Sequence, residues 1–334
     1  MIRALALQEC APAAALVERH RTLNPDPAIA LARLDERLMH APPAVREGWI
    51  RRAFLHEAVA SLRLNGFYVA ARDLMLMLED ASERLPDQDL SRARAIHQMI
   101  ASMSRRDPRH LFNARRLLVM TSLRLRGKPP GHPNLPSWLN RHRDPEQVRD
   151  TLDEALWPSA IATWEKLPPL EAAAAIIAHW HASGAAESIG AAPGRALAMA
   201  WIHRAGLVSG YYFLPGIGFF GHALDYRPDL QARWLGLFLE SASRSVDWGL
   251  KLHRHLSAIH RRLHEAAPGK RSTSHMAALI DLLVSHPALS ADRAAQRLGI
   301  TSHGVRGLLG PLEKKGLVHE LTGRGSFRLY GLPP

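Results

Sequence analysis

Residues 290–316, S-A-D-R-A-A-Q-R-L-G-I-T-S-H-G-V-R-G-L-L-G-P-L-E-K-K-G, decide the fold of the C-terminal part of the chain. Ser290 is a favoured N-cap and Gly299 a favoured helix stop, so a short helix is predicted between them. Thr301 or Ser302 then caps a second helix that runs to the end of the stretch. Two helices joined by a tight glycine turn are the pattern of a helix-turn-helix.

The sequences on either side extend this pattern to a winged helix-turn-helix. Residues 275–286 have apolar side chains at helical spacing, and Pro287 stops the helix that they predict. Residues 317–321 and 327–332 read as strands, and the glycines at 322–326 suit a tight turn between them. This hairpin is the expected wing.

Modules of this shape place the start of the second helix against DNA base edges, while basic residues around it contact phosphates. The partner predicted here is double-stranded DNA. The residues expected to contact it are Ser302, His303, Arg306, Lys314 and Lys315 of the helix, Arg324 and Arg328 of the wing, and Lys270 and Arg271 of the approach arm. Pro311, with Gly307 and Gly310 nearby, predicts that the recognition helix is kinked or short.

Charge supports an acidic partner. The chain has a net charge of +12 and an isoelectric point near 10.6. From Arg261 to the end, eleven Lys and Arg face five Asp and Glu, which places +6 on 74 residues. A concentrated basic surface favours phosphate binding through counterion release. A membrane surface is the second partner that such charge allows, and winged helices also dock proteins.

Composition predicts a mainly α, cytoplasmic, nucleoid-associated protein. Of the 334 residues, 47% are hydrophobic and 6% aromatic, with alanine and leucine dominant. Cys10 is the one cysteine, so a disulfide framework is excluded and a reducing cytosol fits. The N-terminal residues lack the apolar region of a signal peptide. Residues 205–224 are apolar, but Pro215 and several glycines favour a buried core segment over a membrane span.

Three regions are expected along the chain. A helical N-terminal region covers residues 1–126, a second helical body covers 146–266, and the winged helix covers 272–334. The proline-rich stretch 127–145 separates the first two. Helices are predicted over 28–39, 47–64, 69–83, 91–103, 110–125, 145–165, 169–181, 194–204 and 230–264.

The N-terminal and central regions each contain a segment that resembles one known protein family. Residues 57–66 resemble the inhibitory helix of that family, (S/T)-x-x-x-E-(G/N), with Ser61 and Gly66 at its ends and Asn65 in place of the glutamate. Residues 234–239 resemble a late segment of the core of this family, the Fic-domain proteins. The order of inhibitory helix, helical core and winged helix also matches many Fic proteins. The chain is most similar in type to a rhizobial helix-turn-helix family of unknown function.

The resemblance implies a nucleotidyl-transfer site, and the sequence departs from it. Active Fic proteins carry H-x-F-x-(D/E)-G-N-G-R-x-x-R, in which the histidine is the general base and the acid binds a metal. Arg195 matches the last arginine, but Gly184 stands at the histidine position and Ser188 at the acidic position. We therefore expect no catalytic residue and no enzyme activity. The body is expected to form a homodimer or to sense a small-molecule or protein effector.

The sequence also allows two functions other than DNA-binding regulation. One is a Fic-like nucleotidyl transferase with a rearranged site. The other is an adaptor in which the winged helix docks a protein.

Two further motifs are interpreted as structural. Residues 216–221 match G-x-G-x-x-G, but no alternating strand–helix pattern surrounds them, which favours a loop over a dinucleotide site. His253, His260 and His264 share one helix face, and the last two have zinc-compatible spacing. With no acidic or cysteine partner on that face, a solvated basic surface is expected, and no metal or cofactor is predicted.

Overall fold

The computed structural model describes residues 26–79, 87–113, 158–186, 190–229, 231–267, 273–323 and 328–333. Helices dominate this part of the chain, as predicted. They are α1 (Pro27–His40), α2 (Pro43–Arg63), α3 (Ala71–Leu78), α4 (Gln88–Met103), α5 (Pro158–Trp164), α6 (Pro169–Ala182), α7 (Ala192–Arg204), α8 (Pro215–Gly218), α9 (Gln231–Ala266), α10 (Thr273–Ser285), α11 (Ala291–Leu298) and α12 (Ser302–Lys314). Two short 3-10 turns occupy Pro108–His110 and Ala223–Asp225.

The predicted helix over 110–125 is wrong at its start. Residues 108–110 form only the 3-10 turn, which Asp107 caps by accepting a hydrogen bond from the Arg109 amide at 2.9 Å, and 111–113 are not helical. The rest of that predicted helix, the proline-rich stretch 127–145 and residues 145–157 lie outside the described residues.

The C-terminal helices begin and end where their capping residues predict. Ser290 Oγ accepts a hydrogen bond from the Arg293 amide at 3.1 Å, and Gly299 ends α11 with φ +67°. Thr301 caps α12 by accepting from the Gly304 amide at 3.1 Å. Pro311 predicts a kinked or a short helix; the shortening is wrong, because α12 continues to Lys314, and the kink stays a prediction. Pro311 lies in the last turn and removes one N–H, while the apolar face of the helix stays buried.

A small antiparallel sheet completes the C-terminal module. Its strands are β1 (Leu289–Ser290), β2 (His319–Glu320) and β3 (Leu329–Gly331), in the order β1-β3-β2. The predicted hairpin of β2 and β3 is present, with shorter strands than expected. The sequence did not predict β1, because Ser290 also caps α11 and reads as a helix start.

Helix α9 lies at the centre of the packing and contacts α1, α2, α6, α8 and α10. Trp49 of α2 donates its indole N–H to the Gly249 carbonyl of α9 at 2.9 Å. Trp234 donates in the same way to the Ala174 carbonyl of α6 at 2.8 Å. Of the segment 205–224 that the sequence predicts to be buried, residues 211–219 lie in this core, whereas 205, 206, 209, 220–222 and 224 are exposed. Within the described residues no helix has both the length and the apolar character to cross a membrane.

The C-terminal module packs on the helical body. Helices α2 and α10 approach so closely that a Cβ atom at Gly48 would lie 2.2 Å from the Val284 carbonyl oxygen. Arg52 of α2 donates to the carbonyls of Val284 in the last turn of α10 and of His286 just after it, at 2.8 and 2.9 Å. Arg72 of α3 donates to the Leu321 carbonyl at 2.6 Å. One apolar core therefore runs through the body and the module.

Candidate nucleic-acid interface

Helix α12 separates an apolar face from an exposed one. Val305, Leu309 and Leu312 are buried against the module core, whereas His303 and Arg306 are exposed. The two exposed residues lie three positions apart and share one side of the first turns. They are the predicted contact residues that the structure places together on an open surface.

The side chains of Ser302 and Lys315 both form hydrogen bonds within the protein. The Ser302 hydroxyl donates to an Asp292 carboxylate oxygen of α11, and its side chain is half-buried. Lys315 donates from Nζ to the Ala266 carbonyl at the end of α9, at 2.7 Å. Lys315 therefore ties the recognition helix to the body, a role that the sequence did not predict.

The other predicted contact residues are only partly described. Lys314 is exposed in the last turn of α12, and Arg328 is exposed just before β3. Lys270, Arg271 and Arg324 lie outside the described residues.

The exposed face of α12 continues with residues that have little or no side chain. Gly307 and Pro311 are exposed, and Gly310 is half-buried. Among the described residues, no atom lies within 4 Å of a Cβ built at Gly307 or Gly310. Packing within the described chain does not require these glycines, although each costs helix stability.

A second cluster of polar residues lies inside the body. Arg195, which is 1% exposed, donates from Nε to Ser61 Oγ at 3.1 Å and from Nη2 to the Ser61 carbonyl at 2.9 Å. Its Nη1 donates to the Tyr226 hydroxyl at 3.2 Å. The structure thus brings together Ser61 and Arg195, the residues that the Fic resemblance singles out in two distant segments.

The same cluster includes Glu57 of α2, whose carboxylate lies at the N-terminal end of α8. Its two carboxylate oxygens accept from the amides of Gly216 and Ile217 at 2.8 and 3.0 Å, and Ser61 donates to it at 3.3 Å. Burial raises the pKa of Glu57 to about 7, although these hydrogen bonds and the Arg195 charge act to lower it. Residues 216–218 of the G-x-G-x-x-G segment therefore form part of the short helix α8 around a buried carboxyl group, and not the predicted loop. Phe220 and Gly221 are exposed, and no strand precedes the segment.

His181 lies at the edge of this cluster. Its Nε2 is 3.2 Å from the Tyr226 hydroxyl. Burial, assisted by the Arg195 charge, lowers the pKa of His181 to about 4, so its imidazole is neutral at neutral pH. At the position that the Fic motif assigns to its histidine, Gly184 adopts φ +73°, and Ser188 lies outside the described residues.

A third cluster corrects the interpretation of the α9 histidines. Asp281 of α10 lies beside His260 and His264, with its Oδ1 at 3.0 Å from His260 Nε2. An acidic partner is therefore present on this face. It comes from the next helix, which the spacing along α9 could not reveal.

Several of these residues were missed because their roles depend on tertiary contacts. In the sequence, Glu57 stands out only as part of the inhibitory-helix match, and Tyr226 and Asp281 belong to no motif. The available signal was a charge inside an apolar stretch. Glu57 is the only acid between 53 and 62, and Asp281 interrupts the apolar run 279–284. Both stretches are largely buried in the structure.

Comparison with known proteins places the C-terminal module. Residues 276–332 match the family model described as "HTH DNA binding domain". An uncharacterized protein of Sinorhizobium fredii, y4cF, is 23% identical, and the match covers 91% of this chain and 94% of that protein. The structure also matches a Fic family protein from Desulfovibrio desulfuricans G20, with a TM-score of 0.45 and 16% identity, over 93% of this chain and 97% of that one. The C-terminal module is thus of the helix-turn-helix class.

Proposed function

We propose that this protein binds double-stranded DNA in a sequence-specific manner and regulates transcription in the bacterial cytoplasm, associated with the nucleoid. The observation that carries the proposal is the helix-turn-helix match over 276–332, together with the open N-terminal end of α12. His303 and Arg306 would meet base edges there. Lys314 and Arg328, with Lys270, Arg271 and Arg324, would meet phosphates.

The part of the exposed α12 face that lacks large side chains supports this placement of the DNA. Gly307 and Gly310 let the helix backbone approach a partner closely, since side chains at these positions would hold it away. A major groove about 12 Å wide admits an α-helix. Whether the protein activates or represses transcription would depend on the position of its operator.

The helical body would be a catalytically inactive, Fic-like unit that mediates dimerisation or responds to a small molecule or protein. Gly184 at the expected base position supports its inactivity, as does the buried Arg195, whose three nitrogens each donate to a protein group. A homodimer follows from half-site logic, because two recognition helices about 34 Å apart would read a palindrome. Size-exclusion chromatography with light scattering, on the free protein and on its DNA complex, tests for the homodimer. A monomer in both conditions would contradict it.

The deciding experiment is selection of DNA from a random library by the full-length protein, followed by binding to the enriched site at several salt concentrations. A palindromic consensus bound well above random DNA is the expected result. Failure to enrich any sequence, with only salt-sensitive binding, would overturn the proposal and favour the protein-docking adaptor. Transfer of a nucleotide from ATP to a protein substrate would instead favour the rearranged transferase.

A further inference from the structure

The side chains of His260, His264 and Asp281 meet where α9 packs against α10. His260 and His264 are one helical turn apart, and their Nε2 atoms are 3.1 Å from each other. Asp281 Oδ1 is 3.0 Å from His260 Nε2 and 3.7 Å from His264 Nε2. The three atoms therefore form a compact triangle whose members come from two helices.

Hydrogen bonds alone do not satisfy this triangle. If His260 Nε2 carries a proton, that proton can make one good hydrogen bond, to Asp281 or to His264, or be shared between them in two weaker ones. If His264 donates instead, the lone pair of His260 Nε2 faces the carboxylate oxygen at 3.0 Å, which is repulsive. In each arrangement of neutral rings, at least one short contact is therefore weakly hydrogen-bonded or not hydrogen-bonded at all.

A metal ion removes this conflict, because all three atoms then act as ligands through their lone pairs. Zn²⁺ binds imidazole nitrogen and carboxylate oxygen at about 2.0–2.2 Å, so two ligands of a tetrahedral ion are about 3.3 Å apart. The distances of 3.1, 3.0 and 3.7 Å lie around this value. The triangle has the size of one face of a zinc tetrahedron.

Exposure fits a site that solvent can reach. The His260 side chain is 16% exposed, that of His264 39% and that of Asp281 54%. A metal ion can therefore enter from water, and the fourth position stays open to water or another ligand. Imidazole with one carboxylate suits Zn²⁺, or Ni²⁺, Co²⁺ and Cu²⁺, rather than Mg²⁺ or Ca²⁺, which prefer all-oxygen ligands.

We propose that His260, His264 and Asp281 form a binding site for a divalent transition metal, with Zn²⁺ as the expected ion, that joins the last turns of α9 to the first helix of the helix-turn-helix module. Residues 267–272 connect the two helices in sequence. The bound ion fixes the position of α10 on the body. The proposal does not depend on DNA binding.

The test uses the full-length protein, stripped of metal with a chelator and titrated with Zn²⁺ by calorimetry in the presence of a competing chelator. One equivalent of Zn²⁺ is expected in the wild type. Asp281→Asn and His264→Gln should each weaken this binding by at least about tenfold. His275→Gln, an exposed histidine of α10, is the matched control and should leave it unchanged. Asparagine at 281 keeps an oxygen that can accept from His260, and circular dichroism without metal verifies the fold of each variant.

Two further measurements distinguish a metal site with defined ligands from non-specific metal binding by surface histidines. Co²⁺ should give the intense visible bands of a four-coordinate ion in the wild type and in His275→Gln, and lose them in His264→Gln. Zn²⁺ should raise the melting temperature of the wild type more than that of Asp281→Asn. The proposal is overturned if all four proteins bind Zn²⁺ equally, if the wild type shows no saturable equivalent, or if His275→Gln weakens binding as much as His264→Gln.

Discussion

At the scale of single residues, Arg306 is the side chain on which the proposed base recognition depends most directly. It is exposed on the first turns of α12, next to His303. Arg306→Ala should cost about 1–3 kcal/mol of binding free energy at the selected DNA site and much less on random DNA. Fluorescence anisotropy on both sequences measures this. Arg105→Ala, an equal loss of charge at an exposed position of the body, is the control. Equal losses from the two variants would argue against base contact.

Glu57 is expected to make stability depend on pH. Its pKa is about 7 in the folded protein and 4.5 in the unfolded chain. Between these values the folded state holds a proton that the unfolded state has lost. This contribution to the free energy of unfolding is therefore fully present below pH 4.5 and falls by about 3 kcal/mol as the pH rises to 7.

Glu57→Gln isolates this effect, because His181 acts in the opposite direction. The lowered pKa of His181 gives a contribution that is lost as the pH falls from 6.5 towards 4. The difference in unfolding free energy between wild type and Glu57→Gln should change by about 2–3 kcal/mol between pH 5 and 8, in favour of Gln at high pH. Urea unfolding at each pH measures it. A difference that stays constant would show that Glu57 remains ionised throughout.

At the scale of helices, Gly48 and Gly307 are expected to respond oppositely to the same substitution. A Cβ at Gly48 meets the Val284 carbonyl of α10, whereas among the described residues nothing surrounds Gly307. Gly48→Ala should lower the free energy of unfolding by about 1–3 kcal/mol through overpacking. Gly307→Ala should raise it by about 0.5–1 kcal/mol through helix propensity, and weaken DNA binding. Thermal unfolding and anisotropy measure both. A Gly307→Ala protein that binds DNA as well as wild type would contradict the close approach.

Helices with local signals could be predicted from the sequence. The bounds of α11 follow from Ser290 and Gly299, because capping depends on residues a few positions apart. Strand β1 escaped prediction, since its pairing with β3 joins residues some forty positions apart. The same reason hid the Asp281 contact and the Glu57 contact with α8. Patterns along one element carry no information about the neighbour that it meets.

At the scale of the whole molecule, body and C-terminal module are expected to unfold together. Their apolar cores are continuous, and Arg52, Arg72 and Lys315 make hydrogen bonds across the boundary. The Arg293 side chain also pairs with Glu79, the residue that follows α3. Differential scanning calorimetry should show one transition, with equal calorimetric and van't Hoff enthalpies. Two separate transitions would show that the module is stable alone and that these contacts add little.

Helix α9 has a consequence for the DNA that the proposed dimer would accept. Its 36 residues span about 54 Å and run from the body core to the start of the module. A module that is held at the end of such a long helix cannot shift along the duplex to reach a displaced half-site. Inserting about 5 base pairs at the centre of the operator turns one half-site to the opposite side of the duplex, and inserting about 10 moves it one turn away. Both insertions should abolish cooperative binding, so the spacing between half-sites would be recognised as strictly as their bases.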